Sequence, residues 1–233
     1  MNAYHAKRVA QGSALVPILL AALALPASAQ QAATRPSTVR YVAQLSALNS
    51  AAAGGSATGE ATFTITGDSL TITVTASGLP KDITHWQHFH GFPEGQPAAC
   101  PNASSDVNHD GIIDIVETEP AAGTTMVPLT DNPAGMDVAH GIYPKASATG
   151  TLQYTQTVSL AELQAAFGKA FPGKSLDLDR RVVFLHGVPS TTVLPATVAS
   201  LGPIPAAASF TPCTSTCGAI FIISSPARTR TDG

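Results

Sequence analysis

Ala61-Thr-Phe-Thr-Ile-Thr-Gly-Asp-Ser-Leu-Thr-Ile-Thr-Val-Thr75 alternates apolar and hydroxyl side chains on both sides of a Gly67-Asp68-Ser69 turn. Side chains two apart on a strand share a face. Ala61, Phe63 and Ile65 therefore line one face and the threonines the other. Two such runs around a short turn predict a β-hairpin, and the solvated Thr face predicts an antiparallel sheet with one wet side. Working outward, Tyr41–Leu48 reads as a preceding strand, and Ala51–Gly59 as a small, Gly-rich loop. Gly78-Leu79-Pro80 ends the hairpin, and Thr84–Phe92 forms the next strand-like run. Residues 93–145 are mostly irregular, a length that in a compact domain is functional or held by something. Strand character returns at Ala148–Val158. Ser159 with Glu162 three residues on is a capping box for a helix whose Leu160, Leu163, Phe167 and Phe171 share a face, and Pro172-Gly173 stops it. Arg181–His186 and Ala219–Ile223 read as the last strands. The count of short strands with turn signals predicts an all-β domain over residues 41–223, a β-sandwich or barrel with one short helical insertion.

The ends read differently. Lys7 and Arg8, an apolar run from Ala14 to Leu25, and Ala27-Ser28-Ala29 are the parts of a secretory signal peptide, expected over residues 1–29. The apolar run is short for the roughly 30 Å of a bilayer core, so no membrane span is expected. A flexible arm is expected over 30–40 and a disordered tail over 224–233. The expected location is secreted, or periplasmic and cell-envelope. Net charge is −3 with no basic cluster, which argues against nucleic acid as a partner, and no protein partner is indicated. Export permits a disulfide, and the three cysteines, Cys100, Cys213 and Cys217, allow one bridge and leave one thiol. A local Cys213–Cys217 bridge and a long-range bridge from Cys100 are both open to them. Asn102-Ala-Ser104 also fits a glycosylation sequon.

The chain has seven histidines, and His85, His88 and His90 fall in one short run. His88 and His90 form an H-x-H pair, which on a strand puts both imidazoles on one face. His186 ends an apolar strand, where a buried imidazole needs a partner. Taken singly, a surface pair and a satisfied core histidine explain these residues. Taken together they predict a metal centre, and imidazole suits copper, zinc, nickel and iron.

At these residues the chain resembles a known family. Thr84-His85-Trp86-Gln87-His88-Phe89-His90-Gly91-Phe92 is similar to the H-x-x-H-x-H strand of the copper/zinc superoxide dismutases. Cys100 in the following loop, Val182-Val-Phe-Leu-His186-Gly and Cys217-Gly-Ala-Ile resemble later motifs of that family, in the same order. The resemblance implies an immunoglobulin-like or Greek-key β-sandwich of the dismutase type. It implies His88, His90 and His186 as ligands of copper (or zinc), His85 as a support behind them, and Cys100–Cys217 as the disulfide. The first half, Tyr41-Val-Ala-Gln-Leu-Ser, Ala57-Thr-Gly-Glu-Ala-Thr-Phe and Leu70–Leu79 with the histidine pair, resembles a CHRD domain, a secreted β-domain of similar layout. Together the matches span residues 40–222.

Two departures bear on function. No residue clearly supplies the family's histidine bridging copper and zinc; His109 and His140 are the available candidates. Thr214 stands where the family has an arginine that attracts superoxide, and an anionic substrate loses that attraction. The resemblance thus implies a secreted metal-binding dismutase-like domain with residual or altered activity. The alternative is a non-enzymatic CHRD-like extracellular module stabilised by calcium and a disulfide.

Within the long loop, Asp106-Val-Asn108-His-Asp110-Gly111-Ile112-Ile-Asp114-Ile-Val-Glu117 matches an EF-hand loop. Side-chain oxygens fall at positions one, three, five, nine and twelve, the Ile112 carbonyl at seven and a turn glycine at six, the pattern that wraps calcium. His109 falls at a non-ligand position. Pro101 before and Pro120 after predict non-helical flanks, hence one structural site that pins the insertion rather than a paired sensor.

Overall fold

A computed structural model describes residues 37–53, 57–187, 193, 195–197, 207–209 and 218–219, all within the compact unit 36–233. In chain order the elements begin with strand β1 (Thr38–Ser46), a single helical turn α1 (Ser50–Ala53), and strands β2 (Thr58–Thr66) and β3 (Ser69–Ser77). Strand β4 (Gln87–Gly91), helix α2 (Ile115–Ala122) and strand β5 (Thr124–Pro128) follow, then β6 (Leu152–Ser159) and helix α3 (Leu160–Ala170). The last elements are β7 (Val182–Leu185), β8 (Ala207–Ser209) and β9 (Gly218–Ala219). They form two antiparallel sheets, β1-β2-β3-β6 and β5-β4-β7-β8-β9. The chain is mostly β, as its alternation predicts.

The expected hairpin forms, with Thr66 opposite Ser69, so that Ser69 belongs to the strand and the loop is the two residues Gly67 and Asp68, with Gly67 at φ 60°. A positive φ at the first central position suits a type II′ turn, whose twist matches the strands it joins. Ala61, Phe63, Leu70, Ile72 and Val74 are fully buried. The threonines face outward, and Thr71 meets Thr157 across strands at 3.0 Å. Phe63 meets Phe89 of the second sheet edge to face, with ring centroids 6.5 Å apart. The apolar core between the sheets includes Val127, Val183 and Leu185 from the second sheet. Each fully buried side chain of this size contributes roughly 1.5–3 kcal/mol.

Strands β4 and β7 of the second sheet are buried on both faces: every residue of each is buried. Phe89, Val183 and Leu185 face the shared core, while Val182 and Phe184 form a second cluster with Ile113 and Ala122 of the insertion. The long segment thus covers the outer face of the second sheet. Asn49 ties it down: its Nδ2 donates to Ile113 O (2.9 Å) and its Oδ1 accepts from Ile113 N (3.0 Å). Ala98 N to Arg180 O (3.0 Å) ties its N-terminal end to the residues before β7, and Ala99 N to Ala121 O (2.8 Å) closes it on the end of α2.

Several local expectations need correction. The segment 93–145 holds α2 and β5, and the flank after the acidic loop is helical. Asp114 caps α2 with Glu117 in a reciprocal capping box, which starts the helix despite Pro120. Pro120 costs only the bond its N–H would make to Val116 O, and both residues are exposed, so water can satisfy that carbonyl. β1 begins at Thr38, inside the arm expected over 30–40. Ala148–Thr151 is a turn rather than strand, held by Ser147 N to Thr151 O (2.8 Å) and Gly150 N to Ser147 O (2.9 Å). Helix α3 starts at Ser159 as expected, with Ser159 Oγ accepting from Glu162 N (3.1 Å). A hairpin-turn residue, Asp68, supports that start: it accepts from Ser159 Oγ (2.7 Å) and Ala161 N (2.9 Å). Among the described residues no helix is long and apolar enough to cross a membrane. The expected signal peptide and tail, Cys213, Thr214, Cys217 and the end of the last strand lie outside the described residues. Cys100 is not a free thiol.

Candidate metal centre

β4 presents His88 and His90 on one face, as the two-residue period requires. His88 is opposite Phe184 of β7, and His90 is opposite Val182. On the other side the register with β5 shifts by one residue between Phe89 and His90, so Thr125 lies opposite His90. His186 follows β7 directly. The three rings touch: His88 and His90 stack with centroids 5.0 Å apart, and His88 and His186 lie 4.5 Å apart at 56°. The Phe184 ring sits 4.2 Å from that of His90. All three imidazoles are buried, none more than 3 % exposed.

Their hydrogen bonds are uneven. His90 Nδ1 lies 3.0 Å from Gly123 O, and a carbonyl only accepts, so that nitrogen carries the hydrogen. His90 Nε2 lies 3.0 Å from both His88 Nδ1 and Thr125 Oγ1. Neither nitrogen of His186 has a partner among the described residues, although both are buried. Its main chain is held firmly: His186 N donates to Trp86 O (2.7 Å), and His186 O lies 2.6 Å from His85 Nδ1. His85 Nε2 is 3.1 Å from Pro80 O. His85 thus touches the backbone of His186 rather than its ring, and it lies before β4 rather than on it.

Burial sets the charge of the cluster. Desolvation pushes His88 and His186 well below the ordinary histidine range, with neighbouring imidazoles adding to it. His90 is lowered to about 4 by desolvation, opposed by its bond to Gly123. Desolvation lowers His85 too, against its two carbonyl contacts. The three clustered rings, His88, His90 and His186, are neutral near pH 7.

Gly123 makes the His90 contact possible. It sits at φ 73°, and a Cβ there would fall 2.2 Å from Gly91 O. The backbone after α2 therefore approaches β4 closely enough to offer its carbonyl to His90. Arg181 is a second buried support: Nε donates to Leu176 O (2.8 Å), Nη2 to Ser175 O (2.9 Å) and Nη1 to Phe92 O (3.3 Å). The sequence reading singled out none of Asn49, Gly123, Thr125 and Arg181. The partners of Asn49, Gly123 and Thr125 are distant in sequence, those of Arg181 include Ser175 and Leu176 nearby, and no local pattern marks any of the four.

His140 does not join the buried cluster. Its side chain is 84 % exposed and pairs locally with Asp137, Nδ1 to Oδ1 3.1 Å. His109 is exposed at φ 60°. In the acidic loop, Gly111 takes φ 83° at the sharp turn. Asp106 Oδ1 and Oδ2 accept from Asp110 N (3.1 Å) and Gly111 N (3.0 Å). Asn108 Oδ1 accepts from Asp110 N (2.9 Å), and Asp110 Oδ1 from Ile112 N (2.8 Å). Glu117 Oε1 accepts from Val107 N (2.9 Å) and Asn108 N (3.2 Å), and Oε2 from Asp114 N (3.1 Å). Thr197 Oγ1 donates to Asp110 Oδ2.

Among the described residues, no group of three or more His, Cys, Asp or Glu side chains stands arranged around a common point for a cation. His88 and His90 are bonded to each other, and the loop oxygens accept from backbone amides. No protein-family model matches the chain, and no curated protein matches it.

The buried neutral histidines fix the sign of the pH response. Their folded-state pKa values lie below the unfolded value of about 6.5, so the unfolded chain binds more protons. Stability is intact above about pH 6.5 and falls as pH drops toward the folded values, by up to ~1.4 kcal/mol per pH unit for each histidine. Urea unfolding between pH 7 and 4.5 should show a midpoint that falls steadily below pH 6.5. A flat profile across that window would contradict the burial of neutral imidazoles.

Proposed function

We propose that the chain is an exported metal-binding domain with a copper-type centre at His88, His90 and His186, on a β-sandwich of the dismutase type. The observation that carries this reading is His186: a buried imidazole whose two nitrogens have no partner among the described residues, in ring contact with His88, which is bonded to His90. A buried polar group without a partner costs roughly 1–3 kcal/mol, and a metal ion would supply a partner that the described residues do not. The donor spacing also fits. Two nitrogens each about 2.0 Å from one ion stand ~2.8 Å apart at right angles and ~3.3 Å apart in a tetrahedron. His88 Nδ1 and His90 Nε2 stand 3.0 Å apart. Bare His90 Nε2 is a ready donor, because Gly123 fixes the hydrogen on the other nitrogen. His85 and Trp86 position His186 through its main chain. Copper there would supply one-electron redox chemistry, and zinc would serve structure alone. With the three imidazoles nearly sealed, and with Thr214 in place of the family's arginine, we place metal holding ahead of efficient turnover of superoxide.

Calcium at Asp106, Asn108, Asp110, Ile112, Asp114 and Glu117 is the second part of the proposal. The support is the ligand spacing together with the turn at Gly111 and the helix that begins at Ile115, where Glu117 is already drawn back into the loop. An ion there would replace amide contacts with stronger charge–charge ones and stiffen the cover over the histidines. A Cys100–Cys217 bridge would tie the same segment to the end of the domain. The alternative, a non-enzymatic CHRD-like module, keeps the calcium and the disulfide and dispenses with the transition metal.

Two measurements separate these readings. Purified protein freed of calcium and incubated with copper or zinc should retain about one transition-metal ion per chain. His88→Ala and His186→Ala should each lower retention at least tenfold. Equal retention in the variants would leave the CHRD-like module as the better account. Calcium chelation should raise proteolytic cleavage within residues 93–145, and an unchanged digestion pattern would remove the loop from the proposal.

A further inference from the structure

This inference rests on the metal reading of the histidine centre and assigns a role to a residue beside it. Thr125 sits opposite His90 on β5, with Oγ1 3.0 Å from His90 Nε2. Because Gly123 O holds the hydrogen on His90 Nδ1, Nε2 presents a lone pair and the Thr125 hydroxyl is the donor. His88 Nδ1, also 3.0 Å away, competes for that same lone pair. A metal at Nε2 would take it, leaving a hydroxyl hydrogen without its acceptor. Exposure shows where that hydrogen can turn. His85, His88, His90, His186 and Gly123 are buried, whereas Thr125 is partly exposed and Thr124 beside it is exposed. Thr125 is thus the polar side chain on the cluster's solvent side, among the described residues that bond to it.

We propose that Thr125 is the hydrogen-bond donor on the open side of the centre, and that its hydroxyl receives the small anion or water completing a bound metal. The ligand class follows from the chemistry of the donor. A lone hydroxyl donor beside buried neutral imidazoles offers a hydrogen bond to a compact acceptor, with no fixed cation on the described side to hold a larger polyanion.

The test uses the full chain loaded with copper(II), with azide as the probe, titrated by visible absorption and followed by electron paramagnetic resonance. Thr125→Val keeps shape and strand preference and removes the hydroxyl; Thr125→Ser keeps the hydroxyl. Thr125→Val should load copper at the wild-type stoichiometry and bind azide about tenfold more weakly, the loss expected for one hydrogen bond. Thr125→Ser should stay within about twofold of wild type. Should Thr125→Val not fold, Thr125→Ala carries the same comparison. Equal azide affinity in wild type and the hydroxyl-free variant overturns the role of Thr125 and leaves the metal reading standing. A wild-type chain that takes up no copper overturns the metal reading, and this role with it.

Discussion

Three imidazoles lie side by side on the outer face of the second sheet, and the described residues give them fewer hydrogen-bond partners than they need. His90 is served by Gly123 and Thr125 and shares a bond with His88. Among the described residues His186 has none on either ring nitrogen, although its main chain is held at both N–H and C=O. A fold selected for stability alone would replace such a ring with a leucine, which costs nothing to desolvate. Retaining it inside an apolar strand end makes sense when the ring has something else to hold.

The rest of the architecture serves that face. The hairpin and its neighbours make a sheet whose inner face supplies the shared core, so the second sheet is anchored from below. Its outer face is then closed by the insertion, through Ile113 and Ala122 against Val182 and Phe184. Phe184 touches both that cover and His90, so the packing of the insertion and the orientation of the histidine are mechanically linked. Asn49 and Gly123 are the fastenings: one clamps the backbone of Ile113, the other brings a carbonyl within reach of His90. Loosening either would expose the cluster, which is why the acidic loop matters to the centre even though its own oxygens point to backbone amides.

Much of this was legible in the sequence because it depends on local periodicity. The Thr-apolar alternation fixed the hairpin register through covalent geometry alone. The same two-residue period placed His88 and His90 on one face, and the apolar run before His186 placed it at a strand end. Ser159 marked its helix start. The illegible parts depend on distant partners. Asn49 and Ile113 are 64 residues apart, and Thr125 and His90 35 apart. Pro120 concealed a helix because the capping box at Asp114 and Glu117 outweighs one missing bond on an exposed side. His140 was a reasonable candidate ligand from composition, but Asp137 three residues earlier captures it locally. His85 was named a support through resemblance; its ring meets the main-chain carbonyl of His186 rather than an imidazole, a contact no local pattern announced.

The central claim is that His88, His90 and His186 bind one transition-metal ion together. X-ray absorption at the metal edge of copper- or zinc-loaded protein tests it most directly. The account predicts about three nitrogen scatterers near 2.0 Å with the outer-shell pattern of imidazole rings. A first shell of oxygens without imidazole scattering would place the ion elsewhere and contradict it.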